Sequence, residues 1–211
     1  GKLSSLGVIA RRLTAMNLVD YWSYIAGVGD IRPEPLKPDK PAKVILSARE
    51  SKFIIIQPAS RDGFRSPPEE FYTDVFDAIK ALGPKYRIVI VGQKHEQEIM
   101  RQSLGDAEGV EWYPDLTLVE LKNLLLQTEL LITPDTGPMH LAALLNTKIL
   151  TFFMGGSDPI LTSPYSEHST IVAYDPPCFP CNHPERCGQD YVCKKSPGKE
   201  FLFATIRSAL G

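Results

Sequence analysis

The 211-residue sequence has no apolar run near the roughly 20 residues that a helical membrane span requires. Its first residues also lack the ordered charged, apolar and cleavage regions of a signal peptide. Both absences point to a cytoplasmic chain, with peripheral attachment at the inner face of a membrane as the variant of that reading. Charge of one sign is missing too: 23 Lys plus Arg stand against 25 Asp plus Glu, a net charge of -2. No field of that size holds nucleic acid or an acidic membrane non-specifically, so a small molecule or a protein is the expected partner. Neither GxxxxGK[ST] nor GxGxxG occurs, which argues against a P-loop and against the usual dinucleotide fingerprint. Cysteine is absent outside one stretch, where Cys178, Cys181, Cys187 and Cys193 fall together.

What is present is an ordinary globular composition, 43% hydrophobic and 23% charged. Residues 1–30 hold one helical candidate, Thr14 to Ala26, ending in Gly27 and Gly29. Residues 31–50 read as a linker, because Pro33, Pro35, Pro38 and Pro41 alternate with charges and resist helix. Residues 51–211 read as the folded domain, carrying the Cys-rich loop 178–193 and a C-terminal helix.

Within that domain short β-branched runs alternate with segments of helical period. The expected strands are Phe53 to Gln57, Arg87 to Val91, Val110 to Tyr113, Leu130 to Thr133, Ile149 to Phe153 and Thr170 to Ala173. Helices are expected near Pro68 to Leu82, Glu96 to Leu104, Leu118 to Gln127, Pro138 to Leu145 and Gly198 to Leu210. The alternation implies an α/β fold, a Rossmann-like doubly wound parallel sheet. Continuous runs such as Ile54-Ile55-Ile56 suit strands covered on both faces.

Such a sheet binds ligands beyond the carboxyl ends of its strands. The loops at those ends are Gln57 to Arg65, Gly92 to Glu96, Pro134 to His140 and Met154 to Pro159. In Asp135-Thr136-Gly137-Pro138, Thr136 or Asp135 is suited to cap a helix whose first turn tolerates proline. The free N–H groups there would attract a diphosphate, with Thr136 Oγ adding a bond and Asp135 turned toward sugar hydroxyls. A purely structural helix start explains the same residues.

The run Leu131 to Leu144, followed by Phe153, Gly155, Asp158-Pro159 and Ser163-Pro164-Tyr165, resembles the donor-binding signature of glycosyltransferase family 9, the bacterial heptosyltransferases. The resemblance extends to Ile56 to Ser60, Pro67 to Phe71, and Gly92 with Glu96. It implies the C-terminal lobe of a two-domain GT-B architecture that transfers a sugar, heptose favoured, from a nucleotide sugar to lipopolysaccharide or a related glycan. ADP-heptose is then the favoured donor, and no catalytic cofactor is expected. Thr136 and Gly137 would cradle the diphosphate, Asp135 and His140 would border the sugar and phosphate, and Glu96 would accept from the ribose. Ser60, Gly92 and Met139 complete the expected donor-binding set, and the loop with Gly155 and Asp158 would close over the nucleotide. Glu96 also suits a plain helix start.

Two departures from the family pattern stand out. A lysine common in the first loop is replaced in Phe64-Arg65-Ser66-Pro67, so Arg61 or Arg65 is expected to supply the charge. Only a helix and a linker precede the donor-like domain, so the acceptor domain and its general base are expected elsewhere, and the chain alone is expected to be inactive. The last helix, with Phe201, Leu202, Phe203 and Ile206, would pack back across the junction of the lobes. The alternative is a non-catalytic nucleotide-sugar-binding or assembly module. For Cys178, Cys181, Cys187 and Cys193 three states are open: a structural zinc or iron-sulfur site, disulfides, or reduced thiols in a compact loop.

Overall fold

In the computed structural model, residues 17–28, 52–60, 63–104, 109–174, 176–181 and 184–211 are described. The proline-rich stretch, Arg61 and the first turn of the expected N-terminal helix lie outside them.

Six strands form one parallel sheet in the order β3-β2-β1-β4-β5-β6. They are β1 (Lys52–Ile56), β2 (Tyr86–Gly92), β3 (Val110–Pro114), β4 (Leu130–Pro134), β5 (Ile149–Phe153) and β6 (Ser169–Ala173). β1 pairs with β2 on one side, Ile54 opposite Ile88, and with β4 on the other, Ile54 opposite Leu130. The chain therefore winds outward from β1 toward β3, then returns to the centre at β4 and winds the other way. That reversal places a crevice beyond the carboxyl ends of β1 and β4.

The β-branched runs form strands because both of their faces are covered. Ile54, Ile56, Ile88, Ile90 and Ile132 pack with residues of α2 (Glu69–Ala81), α3 (Lys94–Leu104) and α7 (Lys199–Leu210). Their sequence neighbours Phe53, Ile55, Val89, Val91 and Leu131 face the opposite layer, formed by α4 (Leu118–Leu125) and α5 (Gly137–Leu144). Alternation across the pleat thus feeds two cores from one run. The start of α4 is set locally by a capping box: Thr117 Oγ1 accepts from Glu120 N, and Glu120 accepts from Thr117 N at 2.8 Å. A short helix, α6 (Pro159–Thr162), follows β5 and was not anticipated.

α1 (Leu18–Ile25) is tied to the loop after α6, where Asn17 Nδ2 donates to Ser163 O at 3.1 Å and Tyr165 Oη donates to Asp20 at 2.7 Å. The last helix departs from expectation. Instead of crossing a junction, α7 lies beside α2 and fully buries Leu202 and Ile206 in this sheet's own core. Phe201 and Phe203 are partly buried against the same cluster, which uses the apolar face that the expectation had assigned elsewhere.

Ile206→Ala should therefore cost about 2–5 kcal/mol in the chain by itself, the range for emptying a closed core site. Urea unfolding followed by circular dichroism measures it, and a loss below about 0.5 kcal/mol would show that α7 does not close this core.

Candidate functional site

At the switch point the ends of β1 and β4 are joined by side chains. Gln57 is buried, and its Oε1 accepts from Thr133 Oγ1 at 2.9 Å and from Thr136 Oγ1 at 3.0 Å. Its Nε2 donates to Ala59 O, which turns the loop after β1 back over the strand end. A buried amide retains its place only when its donors and acceptors are met, so this network fixes both loops together. It also changes the expected role of Thr136. The residue does stand at the N-cap of α5, but its hydroxyl makes no capping bond because it is turned inward to Gln57. The first turn of α5 consequently has no side-chain acceptor of its own.

Beyond this network opens a cavity of about 1030 Å³. Ser60, Gly92, Glu96, Thr136 and Gly137, all expected in the site, line it together. At one end Gly92 has φ +138°, a conformation that favours glycine, and a Cβ there would lie 2.7 Å from Glu96 Oε2, which would have to move aside. That same carboxylate oxygen accepts from Gln93 N at 2.8 Å, so Glu96 both starts α3 and borders the cavity. Asp115, at φ 53°, accepts from Lys94 N at 3.2 Å and joins the same wall. Apolar side chains of Tyr72, Val91, Met100, Leu116 and Leu121 form the rest of this end. Among the described residues the buried Tyr72 hydroxyl has no hydrogen-bond partner, and burial, then the Glu96 charge, pushes its pKa well above 10.0.

The other expected residues that are described, Arg65, Asp135, Met139, His140, Gly155 and Asp158, lie around the cavity and are not among the residues lining it. Asp135 is buried and pairs with Arg65, its Oδ2 3.3 Å from Nη1. Gly155 and Gly156 are packed under this loop: a Cβ on Gly155 would meet Cys193 Sγ at 2.6 Å, and one on Gly156 would meet the Phe64 ring at 3.0 Å. Asp158 caps α6 by accepting from Ile160 N at 2.9 Å. His140 is exposed on α5 and is not among the residues lining the cavity. Met139 corrects the expected set: it is fully buried in the core, its sulfur accepting from Thr151 Oγ1 at 3.2 Å, because the helix phase turns it toward the sheet. Arg61 lies outside the described residues.

The cysteines are all free thiols. Among the described residues no three His, Cys, Asp or Glu side chains are grouped to hold a metal, so the expected ligand set is not assembled. Separate local contacts orient the sulfurs: Cys193 is buried against Gly155, Cys187 accepts from Tyr191 N at 3.2 Å, and Cys178 is exposed. Burial pushes the Cys193 thiol above its ordinary 9.0, with the nearby Cys178, Cys181 and Cys187 acting in the same direction against a backbone bond from Gly155. Tyr174, half-buried beside it, is pushed up to about 12 by burial and by Cys193 and Glu70.

Sequence reasoning passed over Gln57 as a ligand to the threonines, Tyr72, and the entire loop after β3. The last was within reach: Pro114-Asp115 follows a strand end, the same rule that selected the other loops. Tyr72 carried no such signal, since a tyrosine on an amphipathic helix reads as core.

Comparison with known proteins gives the following. The family model for glycosyltransferase family 9 (heptosyltransferase) matches residues 33–191. Lipopolysaccharide heptosyltransferase 3 of Escherichia coli is 28% identical over 122 residues, covering 55% of this chain and 35% of that protein. Among solved structures, E. coli ADP-heptose lipopolysaccharide heptosyltransferase II superposes with a TM-score of 0.61 at 19% identity, over 76% of this chain and 47% of that one. The dodecameric iron-containing heptosyltransferase TibC of enterotoxigenic E. coli, solved with ADP-D-β-D-heptose, gives 0.67 at 17%, over 92% and 53%. These two share the fold. The chain spans about a third of the curated relative and about half of the solved structures.

Gly92→Ala should destabilise the protein by on the order of 1–3 kcal/mol, since it meets both an unfavourable φ and the Glu96 carboxylate. Chemical denaturation tests it, and a neutral result would contradict the backbone strain at this turn. Cys193 and Tyr174 hold their protons more tightly folded than unfolded, from ordinary values of 9.0 and 10.0. Their contribution is fully present below pH 9.0 and is lost as pH rises toward about 12, so Tm should fall across that window. Cys193→Ala combined with Tyr174→Phe should flatten that part of the Tm-against-pH curve.

Proposed function

Since the chain belongs to glycosyltransferase family 9, the heptosyltransferase family, we propose that it is the donor-binding part of an enzyme moving a heptose from a nucleotide sugar, ADP-heptose favoured, to lipopolysaccharide or a related glycan. The observation that carries this reading is the cavity at the β1/β4 switch point, which joins an apolar, carboxylate-edged end to the open start of α5. A purine suits the end walled by Val91, Met100, Leu116 and Leu121, and Glu96 suits a ribose hydroxyl beside it. The diphosphate then falls at Thr136 and Gly137, where helix N–H groups and the macrodipole favour negative charge.

In the reaction the acceptor hydroxyl oxygen bonds to the anomeric carbon as the bond from that carbon to the diphosphate oxygen breaks. The proton passes to a base and the electron pair leaves with the nucleoside diphosphate. This chain's share is stabilising the departing charge at the start of α5, with Arg65 close by on Asp135. Asp135 in turn holds the guanidinium in place and keeps it from swinging to solvent. The general base belongs to an acceptor lobe, of which residues 1–30 would be the remnant or link and 31–50 the connection. The proposed architecture is GT-B, and the chain alone would be inactive. The chemistry calls for no cofactor. The described residues contain no helix long and apolar enough to cross a membrane, which accords with a cytoplasmic enzyme working at the inner face.

Isothermal titration should detect ADP binding to the chain, weaker UDP binding, and about tenfold weaker ADP binding in Arg65→Met, the loss of one charge-assisted contact. Absence of binding by both nucleotides at millimolar concentration would overturn the donor-site reading.

A further inference from the structure

The cysteine segment meets the loops around the proposed donor site at Cys181, Cys193 and Lys194. Cys181 N donates to Gly155 O at 2.6 Å, and Cys193 Sγ lies on Gly155 where a Cβ would fall 2.6 Å away. The segment is thereby anchored beside the loop 63–66, whose Phe64 ring and Arg65 Cγ cover Gly155 and Gly156. The next residue, Lys194, ends a 3-10 turn (Val192–Lys194). Its ammonium donates to three carbonyls of that loop: Gly63 O at 3.1 Å, Phe64 O at 3.2 Å, and Ser66 O. These three acceptors gather around one ammonium, a group that carries three N–H donors.

Three carbonyl oxygens converging on one point repel one another unless a cation sits between them. They belong to the residues on either side of Arg65, whose guanidinium reaches Asp135 at 3.3 Å. Ser66 Oγ closes the loop by accepting from Ser60 N at 2.9 Å. With the main chain held at positions 63, 64 and 66, Arg65 has little freedom to leave the start of α5. We infer that Lys194 is a positioning residue for donor binding: its ammonium shapes the loop 63–66 and so aims Arg65 at the nucleoside diphosphate. The inference rests on the donor-site reading above.

The test uses the whole chain with Lys194→Met, Lys194→Arg, Arg65→Met and the Lys194→Met/Arg65→Met pair. Two-dimensional NMR titrations with ADP and with adenosine read the two ends of the cavity separately. Lys194→Met should weaken ADP binding about tenfold and leave adenosine within about twofold, Lys194→Arg should recover part of the loss, and the double variant should bind ADP no worse than Arg65→Met. Equal weakening of ADP and adenosine, additive losses, or unchanged ADP binding by a folded Lys194→Met protein would overturn it. A ligand-free measurement stands beside this one: the ordered Arg65 Nε–H signal should broaden or vanish in Lys194→Met, and its persistence unchanged would also overturn the inference. Should Lys194→Met not fold, Lys194→Gln takes its place in every arm. If the unaltered chain binds no ADP while the Arg65 signal responds as expected, the donor-site reading fails and the positioning role of Lys194 stands.

Discussion

Gln57 holds the two halves of the sheet's carboxyl edge in one arrangement. The β1–β4 pairing ends at Ile56 and Ile132, with Gln57 N donating to Ile132 O at 3.0 Å as the last main-chain bond, and beyond it the two loops go their own ways. The Gln57 amide bridges that divergence, accepting from Thr133 and Thr136 and donating to Ala59 O. In a buried setting each of these groups would otherwise be left unsolvated, so separating the loops costs more than the bonds' modest net worth. The cavity exists because two loops that would part are tied at their base.

Around that base the loops pack closely against glycine. Gly92 admits the Glu96 carboxylate, while Gly155 and Gly156 admit Phe64, Arg65 and Cys193. The first contact borders the cavity, and the second set packs the loop 63–66 beside it. Arg65 and Asp135 are the link between the second set and α5. A partly buried ion pair such as this one contributes little to stability by itself, and under the proposed function its worth is in holding a guanidinium near the diphosphate. The cysteine segment packs on Gly155 through Cys193 and brings Lys194 to the carbonyls of the loop 63–66.

Much of the fold was legible because its causes are local. A run such as Ile88 to Val91 is buried on both sides wherever its neighbours come from, so it reads as a central strand without knowledge of them. Strand ends agreed with the structure to within a residue for the same reason. The cavity lining was legible to the extent that it obeys one topological rule, that crevices open beyond strand ends, which selected Ser60, Gly92, Glu96, Thr136 and Gly137. It failed at Met139, where half a helical turn separates a core side chain from a site side chain. It failed again at α7, whose apolar face gave no sign of which surface it covers.

The sequence by itself determined the doubly wound parallel sheet, the switch-point loops, the residues that line them and the family to which the chain is similar, because periodicity and motif order survive without coordinates. Tertiary structure alone decided where the polar side chains point. Thr136 turns its hydroxyl to a glutamine 79 positions away, and Lys194 meets a carbonyl 131 positions away. Directional bonds of this range depend on ångström-scale placement of distant segments, and no local pattern encodes that.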